Sequence, residues 1–285
     1  MTAGGFWNRF LVPGGLWLLL LFAVPLCFVL ALSFGYVDDL GRAVYSTETS
    51  NYADAFDPIY LPVLIRSVGY ALATTLLCLA IGYPVAYYIA RYGGRYRNAL
   101  IALLVLPFFV NYLVRTYAWV ALLADEGLVN EGLIDIGVIS EPLRMLNTPW
   151  ALIGGLTYGY LVFMILPVYG ALERLDRSVI EAGKDLFGTP LQTFLHVTLP
   201  QTKQGILAGS VLVFLPAVGD FVSAQLLGGP DTYMVGNLIQ DQFFAANNWP
   251  FGAALTVVMM LFLSIWMVGY LHSAAKEARG AATTA

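Results

Sequence analysis

Long apolar runs dominate this chain, and between two of them lies a polar island, Glu173 to Lys203. A bilayer-crossing helix needs about 20 mostly apolar residues at about 1.5 Å rise each. Six runs reach that length: Phe10 to Phe34, Leu61 to Ala90, Ala99 to Ala124, Trp150 to Leu172, Gln204 to Leu227 and Phe251 to Ser273. The pattern predicts an all-α, polytopic membrane protein with six transmembrane helices, a single membrane domain over 1–285, and both termini on one side. The first run follows Arg9 and passes Ala31-Leu32-Ser33, which loosely resembles a cleavage site. Its apolar stretch is longer than the about 7 to 15 residues of a secretory signal's core, so it is read as a retained helix.

Composition agrees. A chain of 285 residues that is 59% hydrophobic and 11% charged, with a mean hydropathy of +0.74, carries more apolar surface than one soluble core can hide. Charge then sets the orientation, because cytoplasmic segments retain Lys and Arg. The two ends and the second and fourth loops contain Arg9, Arg91, Arg95, Arg97, Arg174, Arg177, Lys184, Lys203, Lys276 and Arg279; the other loops contain only Arg42 and Arg144. Both termini and the island are therefore expected on the cytoplasmic side. The outer loops, 37–60, 125–149 and 228–250, are acidic, which either attracts cations or reflects the exclusion of basic residues from translocated segments. Cys27 and Cys78 lie inside apolar runs and are read as small buried packing residues, with no disulfide or metal site.

Several chemistries are excluded by what is missing. There is no GxxxxGK[ST] phosphate loop, no HExxH pair and no GxSxG elbow. His196 and His272 have no neighbouring ligand or nucleophile pattern and are read as interfacial residues. No catalytic residue, metal site, cofactor or nucleic-acid surface is expected in this chain.

Within the island, DRSVIEAGKDLF places Val179, Ala182, Gly183 and Leu186 on one face of a short amphipathic helix. Asp176 or Ser178 is positioned to cap its start, and Gly188-Thr189-Pro190 breaks it. A second short helix is expected over Leu191 to Val197, ending at Leu199-Pro200. The small pair Ala182-Gly183 leaves room for another protein to approach, and Glu181 beside it offers a carboxylate to that partner.

The run Glu181-Ala182-Gly183, with Gly188 and Leu199-Pro200 downstream, resembles the EAA loop of permease subunits of bacterial ABC importers. Gly183 stands where that pattern has alanine, and Phe187 holds the usual glycine place with Gly188 after it. Further stretches narrow the resemblance: IGYPVAYYIAR (81–91), LPFFVNYLVRTYAW (106–119), GLVNEGLI (127–134) and VGDFVSAQLLGGPDTYMVGNLIQDQF (218–243) are similar to the first permease subunit of spermidine/putrescine importers. The resemblance implies a type I ABC importer permease fold with its core over about 61–275. It also implies that 173–203 is a coupling loop docking on an ATP-binding subunit through Glu181, Ala182, Gly183, Asp185, Gly188, Leu199 and Pro200. The implied partners are a second permease subunit, two copies of an ATPase that binds ATP and Mg, and a periplasmic or extracellular substrate-binding protein. The implied location is the bacterial cytoplasmic (inner) membrane. Two other readings stand beside this one: an importer permease for another small organic or metal-bearing solute, and a secondary transporter that works without an ATPase.

Ionisable side chains at bilayer depth are functional or paired, since they cost at least about 2.5 to 3.5 kcal/mol. Arg66, Arg115 and Asp220 are such residues, and residue counting puts all three at similar height, about 25 Å from the cytoplasmic boundary. Either Asp220 faces the pathway and receives a substrate cation with Arg115 as gate, or Arg115 and Asp220 form a structural bridge. Tyr117, Trp119, Tyr158, Tyr160, Phe214 and Phe221 lie near this layer as candidates to stack against a cation or to anchor the interface. Pro107, Pro167 and Pro216 mark bends within spans, either hinges or fixed kinks.

Overall fold

The computed structural model describes residues 3–283, with side chains given for all but 3–11, 177, 187, 271 and 273–283. Arg9, Arg177, Phe187, Lys276 and Arg279 thus lie outside the described side chains. In chain order the helices are α1 (Ala3–Ser33), α2 (Ser50–Ala55), α3 (Leu61–Tyr92), α4 (Arg97–Val105), α5 (Tyr112–Leu123), α6 (Leu128–Asp135) and α7 (Pro149–Arg174). They continue with α8 (Arg177–Phe187), α9 (Pro190–Thr193), α10 (Leu199–Gln201), α11 (Lys203–Val218), α12 (Val222–Leu227), α13 (Val235–Phe244) and α14 (Trp249–Thr283). A two-residue antiparallel pair, β1 (Tyr36–Val37) and β2 (Ala43–Val44), follows α1.

Among the described residues, four segments are long and apolar enough to cross a membrane: Val12–Ser33, Leu61–Tyr92, Pro149–Arg174 and Trp249–Tyr270. The other two expected spans depart from straight helices. The third bends by 91° between Gly94–Phe109 and Tyr112–Asp135, and counted as one span it brings the segments long and apolar enough to cross to five among the described residues. Pro107 lacks a backbone donor, and Leu106–Phe109 tightens into a 3-10 turn there. Val110 then becomes extended (φ −75°, ψ 135°), and the Asn111 side chain accepts from the Leu113 amide at 2.9 Å to start α5 as a new helix. The fifth expected span ends at Val218, giving α11 only 16 residues or about 24 Å. Beyond Gly219, the Asp220 carboxylate takes the Ser223 amide and opens α12.

Contacts group the chain into two units, 1–61 with 238–265 and 62–237 with 266–285. In the first, the last carbonyls of α1 need partners outside the helix. Asn51 Nδ2 supplies one, donating to Ser33 O at 3.1 Å, and also donates to Gly35 O just past the helix at 2.7 Å. Tyr52 OH and Ser33 Oγ lie 2.6 Å apart, and the Tyr60 and Phe251 rings pack at 5.1 Å. Most of the described α1 side chains face outward, Phe22 being 73% exposed. Cys27 shares that exposure and corrects the expectation of two buried cysteines, because α1 is apolar and exposed over most of its described length.

In the second unit, the buried core joins α3, α7 and α11 through Cys78, Tyr83, Ala86, Met164, Ile165, Val168, Leu172 and Val213. Cys78, as expected, is fully buried. Gly205 and Gly209, four residues apart on α11, let its backbone come against α7. A Cβ at Gly209 would lie 3.1 Å from Met164 Cα, and one at Gly205 would lie 2.7 Å from Pro167 O. Paired small residues of this kind allow membrane helices to pack closely.

Candidate functional site

The island folds as its sequence indicates at α8. Asp176 Oδ1 accepts from the Ser178 amide at 3.0 Å, which makes Asp176 the cap. The helix stops at Gly188, whose φ of +69° suits glycine, and the Gly188 amide returns to Lys184 O at 2.8 Å. Glu181, Ala182, Lys184 and Asp185 are exposed, as are Val179 (40%) and Leu186 (79%). Gly183 differs from its expected outward role. It is buried, and a Cβ there would lie 2.8 Å from Val197 Cγ2 and 3.1 Å from Thr193 Cγ2. Its smallness serves an approach within the chain, while Ala182 remains at the surface.

The second short helix also departs from expectation. α9 gives way to a wide π-type turn, Phe194–Thr198, and α10 follows with Leu199 and Pro200 inside it. Pro200 cannot donate to the preceding turn, and widening that turn removes the need for its bond. Leu199 is half-buried and packs toward the core, and Pro200 is exposed. At the island's edges, Arg97 pairs with Glu173 and donates to the Tyr169 hydroxyl. Arg91 reaches the Leu175 carbonyl at 3.4 Å.

A separate polar cluster surrounds Asp220, which is 7% exposed. Tyr112 of α5 and Tyr160 of α7 both donate to Oδ2, Tyr160 at 2.8 Å. The Ser223 amide donates to Oδ1 at 2.9 Å and the Ser223 hydroxyl to Oδ2 at 3.3 Å, while Tyr112 OH lies 2.7 Å from Ser223 Oγ. The carboxylate therefore fastens the α11–α12 break to the first turn of α5, which itself begins at a break. Among the described residues Arg115 makes no ion pair with it. The Arg115 guanidinium lies in an aromatic pocket instead, its Cζ 4.7 Å from the Phe108 ring, 5.5 Å from Tyr112 and 5.8 Å from Tyr158. Counting along the helices brings Arg115 and Asp220 to one layer, and Tyr112 touches both.

Arg66 stands apart from that pair and donates to the Asp231 carbonyl. Tyr117 (58%) and Phe221 (40%) face outward. Trp119 packs on Tyr158 at 5.6 Å, and Phe214 on Trp266 at 4.5 Å. Sequence reasoning missed Tyr112 and Ser223. The available signal was stoichiometric: a buried carboxylate needs several donors, and Tyr112 follows a helix-capping asparagine at matching depth.

Long lipid-compatible helices with an exposed amphipathic helix among them define a polytopic membrane protein. The sequence family described as "Binding-protein-dependent transport system inner membrane component" matches residues 80–276, and the chain belongs to it. It is a multi-pass permease subunit. Among its relatives is the spermidine/putrescine transport system permease protein PotB of Haemophilus influenzae, 42% identical over 254 residues, covering 88% of this chain and 89% of that protein. The Escherichia coli K12 protein of the same name is 39% identical, covering 89% and 92%. In fold the chain is similar to a bacterial ABC transporter involved in the import of the acidic polysaccharide alginate, with a TM-score of 0.73, 19% identity and 95% of each chain covered.

Proposed function

We propose that this chain is one of two permease subunits of an ATP-driven importer of polyamines, spermidine or putrescine, in the bacterial cytoplasmic membrane. The observation that carries the substrate class is its 42% identity, over most of both chains, to a spermidine/putrescine permease. ATP and Mg bind, and ATP is hydrolysed, in two copies of a separate subunit. A substrate-binding protein delivers the solute from outside, and both termini face the cytoplasm, as the Lys and Arg distribution supports.

In this reading 173–203 is the coupling loop, and α8 presents Glu181, Ala182, Asp185 and Leu186 to the ATPase. Its exposed apolar and charged side chains support that role, since an outward Leu186 gains from being covered. Gly183, Gly188, Leu199 and Pro200 shape the loop behind that surface. Around the outer layer, Tyr117 and Phe221 border the pathway, and Trp119 and Arg115 back them. Asp220 holds the broken helices in register and acts on the pathway through that hold.

Reconstitution of the complete importer tests the assignment. Spermidine or putrescine, with the binding protein, should stimulate vanadate-sensitive ATP hydrolysis and uptake. Stimulation by another solute alone would overturn the polyamine assignment, and uptake by this chain without an ATPase would overturn the importer itself.

A further inference from the structure

α8 is poorly placed to act on the membrane helices through the backbone that leads into it. Leu175, between α7 and α8, is extended (φ −75°, ψ 118°), so α8 is not a rigid continuation of α7. Its main packing is on α9 and on the wide turn Phe194–Thr198. At Gly183 no side chain separates α8 from Val197 and Thr193, so α8 and the wide turn are keyed together. Beside α8 lies a cleft of about 370 Å³, bordered by Glu181 and Lys184 on one side and by Arg91, Tyr92 and Phe194 on the other.

Phe194 bridges from that turn to α3. Its ring meets Tyr83 edge-on at 5.5 Å and 86°, and Tyr87 edge-on at 6.1 Å and 85°. Such pairs have a preferred geometry and resist sliding. A second tie reinforces the place: Tyr83 OH lies 2.9 Å from Thr202 Oγ1, just past α10. Phe194 and Leu199 both pack on the core cluster that holds Tyr83.

We propose that Phe194 is the positioning residue that passes movement of α8 into the membrane helices, by way of Tyr83 and Tyr87 on α3. The proposal rests on reading α8 as the ATPase contact. Movement reaches α3 through Phe194, beside the backbone path by which the wide turn continues into α10 and α11, and α7 packs against both α3 and α11.

The test uses the complete importer in proteoliposomes with radiolabelled spermidine, and reads solute moved per ATP hydrolysed alongside co-purification of the ATPase. Phe194→Leu keeps the apolar volume and removes the ring. It should leave co-purification and ATP hydrolysis near wild type and lower the ratio about tenfold, the size expected from losing edge-to-face pairs. Phe194→Trp should restore most of the ratio, which a role in filling space alone would not require.

Tyr87→Leu should reproduce the defect, and the double variant should be no worse than the poorer single, because both break one link. A wild-type ratio in both leucine variants, multiplying defects in the double, or a tryptophan variant as poor as the leucine one would each overturn the proposal. Should Phe194→Leu fail to assemble, Tyr87→Leu and its ratio decide the matter. Glu181→Lys reports on the underlying reading: loss of co-purification upholds it, and normal co-purification with normal transport overturns it, whatever the Phe194 ratio.

Discussion

The island and the Asp220 cluster hold their polar groups in opposite ways. Around Asp220 every carboxylate oxygen is engaged from within the chain, by two tyrosines and Ser223. On α8, Glu181, Lys184 and Asp185 stand exposed beside a Leu186 that is 79% exposed. A buried polar group without a partner is costly, so the first site has been closed by the fold. The second has been left open, which suits a surface completed by another protein. The difference separates a closed anchor from an open surface.

The sharpest way to break that comparison is Glu181→Lys. It should abolish uptake while the chain remains in the membrane at normal levels, measured by transport in cells and by immunoblotting of membranes. Normal uptake would show that the open surface is not a contact. Next in size is Asp220→Ala, which removes the acceptor of three hydroxyls and an amide and should cost about 3 kcal/mol, read from thermal unfolding in detergent. A variant as stable as the parent would deny the anchor.

Exchanging the charges, Arg115→Asp with Asp220→Arg, should not restore what either single change loses, since the two groups do not pair. Recovery of transport in the double variant would reinstate a direct bridge. Tyr112→Phe removes one hydroxyl and should cost about 1.5 kcal/mol by the same unfolding assay. The smallest effect belongs to Gly188→Ala, where a left-handed backbone should cost about 1 kcal/mol and fray the end of α8, detectable as faster amide exchange at Lys184 to Gly188.

Legibility in the sequence followed the range of the forces involved. α8 was readable because its cap, apolar face and stop are local: Asp176 and Gly188 act within a few residues of themselves. The long spans were readable because apolar length is a one-dimensional property. The break at Val110 was only half visible. Pro107 signals a lost donor, but an unbroken apolar run gives no sign that the chain turns by 91°. Gly219 and Asp220 likewise end α11 early inside a run that reads as continuous to Leu227.

The partners of Asp220 were the least accessible. Tyr112 and Tyr160 come from helices far apart in sequence, and similar depth does not say which of two groups at one height will meet. Gly183 carries the same lesson: a small residue announces close approach without naming the neighbour, which proved to be Val197 and Thr193 of its own chain.

The glycines at 205 and 209 bear on how far the island can travel. The segment leaves from the end of α7 and returns at the start of α11, and these two helices lie backbone against backbone. Its feet are thus planted on one doubled post, so it can swivel or tilt but cannot stretch by spreading them.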